Sequence, residues 1–380
     1  MSVTSQRLHA IDALRGLVML IMLLDHVRET FYLHHQVSDP MQIDQLEPAL
    51  FISRSLAHLC APVFLLLTGL SAYLYQQKYD LKMTREFLFK RGLFLIGLEL
   101  TVINFAWTAK FPPDVLYLQV IWAIGISMLA LSLLIGLSKK LLWVLALGII
   151  FLHNALDHIH FQSETLQAFW NILHHRDLIE VSESLRLRTT YPVLPWIGVI
   201  TLGYCLGYAC FKDGISSLER NQKLLKFAIT GLTTFFIMRA INIYGDQPWL
   251  HLNSFSQTTM SFFNLTKYPP SLFFILWNVS LGILCLLGLN QFEHKNWLRP
   301  LIVLGSVPMF FYVLHLYVLK ALYLIAFHIW GANQGQYFGV SEVYQLWIIS
   351  LILIFLLYPA VVKFSKFKHQ NKHIAILKYF

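Results

Sequence analysis

Residues 271–290 read SLFFILWNVSLGILCLLGLN and contain no charged side chain. A helix of about 20 such residues crosses the roughly 30 Å hydrocarbon core of a bilayer. Backbone groups in hydrocarbon must be hydrogen-bonded within their own segment, so this stretch predicts a membrane-spanning helix. Across the chain 57% of residues are apolar and 13% are charged, whereas a soluble domain carries roughly 25% charge. The composition therefore excludes an ordinary water-soluble domain.

Similar stretches recur along the chain and predict an all-α, polytopic membrane helical bundle of about ten transmembrane helices. We place the spans near 9–33, 52–76, 88–108, 115–137, 140–156, 191–211, 224–244, 271–290, 300–329 and 343–364. The whole of 1–380 is interpreted as a single transmembrane domain, with a basic cytoplasmic tail at 365–380. A short amphipathic helix is expected in the long polar loop at about 157–190.

The formal net charge of +9 is distributed unevenly between alternate loops. If the N-terminus is cytoplasmic, the inner loops and the tail carry most of the lysines and arginines, and the outer loops carry few. This is the positive-inside bias, and it places both termini in the cytoplasm. The basic excess thus sets topology and requires no nucleic-acid partner. The four cysteines all fall within predicted spans and match neither a disulfide framework nor a zinc-ligand spacing.

The first predicted span contains the most ionisable residues, which are costly in a bilayer and therefore indicate function. Arg15 and His26 are eleven residues apart, close to three helical turns, so they share one face at about 16 Å along the axis. Asp25 and Arg28 are three residues apart and are expected to pair. The alternative is that Arg28 and Glu29, near the interface, only snorkel or form a structural ion pair.

The second and third spans also contain buried polar residues. Arg54 and His58 lie one turn apart, and Pro62 frees a backbone carbonyl near His58. Glu99 lies deep in the third span and is expected to pair with an arginine or lysine. The alternatives are a packing role for His58 and a purely structural ion pair for Glu99.

The ninth span combines a helix breaker with two polar residues. Pro308 is expected to kink it. Tyr312 and His315 follow three residues apart, on one face. A structural role for His315 is the alternative to a functional one.

Several segments resemble bacterial members of the heparan-alpha-glucosaminide N-acetyltransferase catalytic-domain family. They are 11–17 (IDALRGL), 25–31 (DHVRETF), Arg54, 58–65 (HLCAPVFL), 191–196, 267–271 and 307–315. Arg15 and His26, separated by ten residues, also match the Arg/Lys-x10-His pattern of the acyltransferase-3 proteins, which are distant relatives. The resemblance covers most of the chain, and the first 75 residues are its specific part.

The resemblance implies transfer of an acetyl or other acyl group from cytoplasmic acetyl-CoA to a sugar or glycan acceptor across the membrane. It also implies a multi-pass protein of the bacterial inner membrane that needs no metal; a homodimer is one expected assembly. In the lysosomal family member the histidine thought to act follows the first span, which corresponds here to His34 and His35. Acyltransferase-3 proteins place theirs at the position of His26. The identity of the base therefore stays open between these residues.

Acyl transfer needs a base for the acceptor, donors for the oxyanion and positive charge for the CoA phosphates. We assign His26 as the base, oriented or polarised by Asp25, and the basic segment 78–91 as the binding site for the nucleotide end of CoA. The remaining assignments are catalytic for Arg28 and His58, and substrate- or donor-binding for Arg15, Arg54, Glu99, Tyr312, His315 and Lys267.

Two other classes of protein share these features. A secondary transporter of a small polar or anionic solute also uses titratable residues and broken helices within the membrane. No inverted repeat is visible, however, and the polar residues crowd the first two spans. A structural or assembly subunit without chemistry is the third hypothesis.

Overall fold

A computed structural model describes residues 9–380 as a chain of helices in two compact units. Unit 1 contains residues 9–36 and Leu281–Phe380, and unit 2 is Val37–Ser280. The α-helices are α1 (His9–Phe31), α2 (Pro48–Ala57), α3 (Cys60–Lys78), α4 (Leu81–Leu98), α5 (Asn104–Thr108), α6 (Val120–Leu134), α7 (Lys139–Leu152), α8 (Glu164–Leu173), α9 (Leu194–Phe211), α10 (Ser217–Ile241), α11 (Phe255–Phe262), α12 (Leu272–Gln291), α13 (Arg299–Ser306), α14 (Pro308–Trp330) and α15 (Val343–Gln370). A π-helical turn, Glu99–Ile103, joins α4 to α5.

Seven helical segments of the described chain are long and apolar enough to cross a membrane. They are Pro48–Lys78, Lys139–Leu156, Leu194–Phe211, Ser217–Ile241, Leu272–Gln291, Pro308–Trp330 and Val343–Gln370. Each overlaps a span predicted from the sequence, which confirms the membrane-helical class. The predicted spans near 9–33, 88–108 and 115–137 coincide with α1, with α4 to α5 and with α6; the total of ten stays a prediction.

A small sheet of three strands accompanies the helices of unit 2. The strands are β1 (Val115–Tyr117), β2 (Leu178–Ser182) and β3 (Leu185–Arg188), in the order β1-β3-β2. β1 is parallel to β3, and β2 is antiparallel to it. The predicted span at 115–137 was therefore placed too early, because its first residues form β1 and the helix begins at Val120. The predicted amphipathic helix in the 157–190 loop is present as α8, and the two strands after it were missed.

Close helix packing in both units depends on glycine. In unit 2, α3 packs along α9, and a Cβ atom on Gly69 or Gly203 would collide with the backbone of the partner helix. In unit 1, α1 packs against α13. A Cβ atom on Gly16 of α1 or on Gly305 of α13 would likewise collide with the backbone of the other helix. Small residues let membrane helices approach until their backbones touch, so these four glycines set the close packing of both helix pairs.

The predicted tail at 365–380 begins inside α15. Ser365 bonds to Ser306 through their hydroxyl oxygens at 3.0 Å, and Lys368 Nζ donates to the Ser306 carbonyl at 2.9 Å. These contacts hold the last turns of α15 against the end of α13. Beyond Gln370 a short 3-10 turn, Ala375–Tyr379, completes the described chain.

Candidate functional site

The first and fourteenth helices bring His26 and His315 together inside unit 1. His26 Nδ1 lies 2.7 Å from His315 Nε2, and the two rings stack with centroids 5.0 Å apart. His315 Nδ1 in turn lies 2.6 Å from the carbonyl oxygen of Phe311, one turn earlier on α14. His26 is 8% exposed and His315 is fully buried. The structure therefore forms a chain of two imidazoles anchored on a backbone carbonyl.

The anchor fixes the tautomer of both rings. A carbonyl oxygen only accepts hydrogen bonds, so Nδ1 of His315 carries a proton. In neutral His315 the Nε2 atom is then the acceptor, and His26 must donate to it from Nδ1. The lone pair of a neutral His26 consequently resides on Nε2. This is the arrangement that a general base requires, with one ring nitrogen held and the other basic.

Tyr312 completes this buried cluster. Its ring meets His26 edge-on at 5.7 Å and His315 at 5.6 Å. The predicted common face of Tyr312 and His315 is thus observed. The predicted kink is observed as a full break, because α13 ends at Ser306 and α14 begins at Pro308.

Beside the imidazoles, Arg28 forms a buried ion pair with Asp25. Arg28 Nη2 lies 2.9 Å from Asp25 Oδ1, its Nε lies 3.0 Å from the same oxygen, and a second carboxylate, Glu29, accepts from Nη2 at 3.1 Å. Asp25 and Arg28 are both under 7% exposed. The pair predicted from the three-residue spacing is therefore present. The Asp25 carboxylate, which was expected to orient or polarise His26, bonds to Arg28.

Arg15 lies on the same helix, nearer its beginning. Its Nη1 atom donates to Asp12 Oδ1 at 3.1 Å, and its side chain is 23% exposed. Eleven residues of helix separate it from His26, about 16 Å along the axis. Arg15 is thus a partly accessible cation at the opposite end of α1 from Arg28.

His34 and His35, the alternative bases, follow α1 in a turn. Their rings lie 4.6 Å apart, and each contacts the ring of Tyr32. Burial and the neighbouring His35 lower the pKa of His34. The two residues form their own ring cluster after the end of the helix.

In unit 2, three cations surround the ring of Tyr268. Arg54 Cζ lies 6.0 Å, Arg176 Cζ 4.8 Å and Lys267 Nζ 5.1 Å from its centroid. The Asp39 carboxylate accepts from the backbone N–H groups of Lys267 and Tyr268 at 3.0 and 2.7 Å. Arg54 and Lys267, both predicted as binding residues, therefore belong to one cation–aromatic cluster. Arg176, which the sequence analysis did not select, belongs to it too.

His58 lies where the second predicted span breaks. It and Leu59 separate α2 from α3, and Pro62 lacks the N–H that would bond to the His58 carbonyl. The buried imidazole lies 5.1 Å from the Phe274 ring. The carbonyl that Pro62 was expected to free is therefore that of His58, and the helix is interrupted there, which the single predicted span at 52–76 did not anticipate.

Glu99 is fully buried in the π-helical turn after α4. Its Oε2 accepts from the backbone N–H of Trp122 at 3.0 Å, in the first turn of α6. Among the described residues no lysine or arginine pairs with it. The expected cation is therefore replaced by the N-terminus of a helix, whose free N–H groups and dipole favour a carboxylate.

Arg239 is a buried cation that the sequence analysis missed. It is 1% exposed and donates to four backbone carbonyls, those of Gln247, Phe262, Ser261 and Asn264, at 2.7 to 3.3 Å. It thereby fixes the loop after α10. The signal was available, because Arg239 lies within the predicted span 224–244 and an ionisable residue there needs buried partners.

Comparison with known proteins identifies the family. The model of the heparan-alpha-glucosaminide N-acetyltransferase catalytic family matches residues 7–234. This range covers more than half of the chain and includes α1 with His26, but it ends within α10, before Tyr312 and His315. No curated protein matches the chain. The chain belongs to the heparan-alpha-glucosaminide N-acetyltransferase catalytic-domain family.

Proposed function

We propose that this membrane protein transfers an acetyl group from cytoplasmic acetyl-CoA to a hydroxyl or amino group of a carbohydrate on the opposite side of the membrane. The family implies a membrane acetyltransferase, and acetyl-CoA is its general donor. The observation that carries the assignment to particular residues is the hydrogen-bonded chain from the Phe311 carbonyl through His315 to His26.

His26 acts as the general base in this proposal. Its Nε2 takes the proton from the acceptor as the acceptor oxygen or nitrogen attacks the thioester carbonyl carbon. The carbon–sulfur bond then breaks, and the imidazolium returns the proton to the CoA thiolate. Throughout, His26 Nδ1–H stays bonded to His315, which orients the ring and stabilises its charged form. No covalent enzyme intermediate is needed.

Two arginines of α1 supply positive charge at either end of the reacting groups. Arg28, held by Asp25, lies two residues beyond His26 and is assigned to the acceptor or the developing oxyanion. Arg15, partly exposed and three turns nearer the helix beginning, is assigned to the thioester arm or pyrophosphate of CoA. The distance between them lets donor and acceptor approach from opposite faces.

The cation–aromatic cluster of unit 2 is assigned to acceptor binding. The ring of Tyr268 contacts that of Tyr191 at 5.0 Å, and Tyr191 contacts Trp196 at 5.7 Å. Aromatic faces pack against the apolar faces of sugar rings, and Arg54 and Lys267 offer donors to their hydroxyl or acidic groups. His58, whose ring contacts Phe274, is assigned to acceptor binding together with this cluster.

The test is acetyl transfer in proteoliposomes, with radiolabelled acetyl-CoA on one side and glucosamine or a glucosamine-terminated oligosaccharide on the other. We expect His26→Ala to lower turnover by about 10²- to 10⁴-fold, as for loss of a general base. His328→Ala, an exposed histidine on α14, is the matched control and should leave turnover unchanged. Normal turnover in His26→Ala would remove it from the mechanism, and His34→Ala and His35→Ala variants would then identify the base.

A further inference from the structure

A pocket of about 370 Å³ opens between α7, α9 and α10 of unit 2. Its apolar walls include Trp143, Phe227 and Tyr208, and two lysines, Lys212 and Lys223, stand at its rim. The pocket lies at the helix ends that the charge distribution predicts to be cytoplasmic. It combines an apolar interior with cations at one edge.

Two cations, Lys212 of the pocket and the neighbouring Lys139, lie over the ring of Tyr208. Lys139 Nζ lies 5.6 Å and Lys212 Nζ 5.7 Å from the centroid of Tyr208, and Lys139 Nζ also lies 2.8 Å from the hydroxyl of Tyr204. Lys223 pairs with Glu219 at 2.8 Å. An exposed carboxylate, Asp213, follows Lys212 in the chain. Three lysines against two carboxylates, Glu219 and Asp213, leave this region with a net positive formal charge.

The flanking helices expose apolar side chains along their length. Val144 and Leu152 of α7 are 65% and 64% exposed, and Ile229 and Ile237 of α10 are 52% and 57% exposed. On spanning helices such faces meet lipid. The two helices that flank the pocket therefore also present apolar surfaces against which acyl chains would lie.

We propose that this pocket binds an anionic membrane phospholipid, with its phosphate between Lys212 and Lys223 and an acyl chain against Trp143 and Phe227. Basic pockets between helices at the cytoplasmic face are the usual recognition sites for anionic headgroups. The apolar walls favour a lipid over the nucleotide of acyl-CoA, whose adenine and ribose need polar partners. This site is independent of the acetyl-transfer assignment.

Native mass spectrometry of the delipidated protein in detergent tests the proposal. The probes are dioleoylphosphatidylglycerol, dioleoylphosphatidylcholine and acetyl-CoA. We expect the phosphatidylglycerol to bind more tightly than the phosphatidylcholine, and Lys212→Gln/Lys223→Gln to weaken it about tenfold or more. Lys140→Gln/Lys226→Gln removes the same charge from exposed positions of α7 and α10 outside the pocket, and should retain binding.

Three outcomes would overturn the proposal. They are equal binding of the two lipids, equal loss in both double variants, and displacement of phosphatidylglycerol by acetyl-CoA, which would reassign the pocket to the donor. A second measurement guards against misfolding of the pocket variant. Brominated phosphatidylglycerol should quench the wild-type tryptophan fluorescence more than that of Trp143→Phe, and equal quenching in the two would contradict the site.

Discussion

His26 Nδ1 lies 2.7 Å from His315 Nε2, although 289 residues separate them in sequence. The neighbouring Phe311 carbonyl fixes the direction of this hydrogen bond. In the proposed mechanism His315 acts on the acceptor through His26, as a positioning residue. In this respect it resembles the carboxylate of a serine-protease triad, which holds the base in one tautomer.

We predict that His315→Ala lowers kcat by roughly 100-fold with little change in KM, because the His26 ring loses its fixed tautomer. His315→Gln, whose amide oxygen still accepts from His26 Nδ1, should retain more activity than His315→Ala. The double variant with His26→Ala should be no slower than His26→Ala alone, since the two residues act as a unit. Steady-state kinetics with acetyl-CoA measures all three. Equal activity of the Gln and Ala variants would contradict the positioning role.

Asp25 and Arg28 should behave as a coupled pair. Breaking a buried ion pair by removing one partner costs about 3–5 kcal/mol, because the other charge is left uncompensated. Asp25→Asn and Arg28→Gln should each lower the apparent Tm, and the double variant should lose less than the sum of the two. The exposed pair Lys110–Asp114, 2.8 Å apart, is the matched control, and Asp114→Asn should shift the Tm little. Additive losses at Asp25 and Arg28 would argue against the coupling.

Glu99 should tolerate loss of its charge better than loss of its hydrogen bond. Its observed partner is a backbone N–H at the start of α6, and a glutamine oxygen can accept the same bond. Glu99→Gln should therefore keep most of the stability and turnover, whereas Glu99→Met should lose about 1–3 kcal/mol of stability by leaving the N–H unsatisfied. Thermal unfolding of the two variants decides between them. Greater damage from Gln than from Met would restore the expectation of a cation partner.

The glycine contact between α3 and α9 should be sensitive to a single methyl group. A Cβ at Gly203 would meet the Leu66 backbone, which cannot move without separating the helices. Gly203→Ala should therefore lower the apparent Tm and the yield of folded protein, at a cost of about 1–3 kcal/mol for overpacking. Gly148→Ala on α7, where a Cβ meets open space, should leave both unchanged or slightly improved. Comparable behaviour of the two variants would contradict the packing model.

The sequence alone predicted those features that depend on local periodicity. Hydrophobic length located the seven spanning helices, Pro62 indicated a freed carbonyl near His58, and the spacing of three located the Asp25–Arg28 pair. Each of these is decided within a few residues of chain, where helical geometry makes the outcome predictable.

Partners distant in sequence were not predictable in the same way. His26 and His315 were each selected, but their contact depends on how α1 packs against α14, which no local pattern encodes. The partner of Glu99 was misassigned. A buried carboxylate is stabilised equally well by a cation or by the N–H groups at a helix N-terminus, and the position of Glu99 in the sequence does not distinguish the two. The strands β2 and β3 are too short to show a clear alternation and were missed.

The imidazole pair also has a consequence for biosynthesis. His26 and His315 are 289 residues apart in the chain, so the ribosome makes α1 long before it makes the partner of His26 on α14. A nascent chain that stops before α14 contains the proposed base without the imidazole that holds it. Assembly of the imidazole pair thus has to wait for α14, and a protein whose translation stops before α14 carries an unaligned His26 in the membrane.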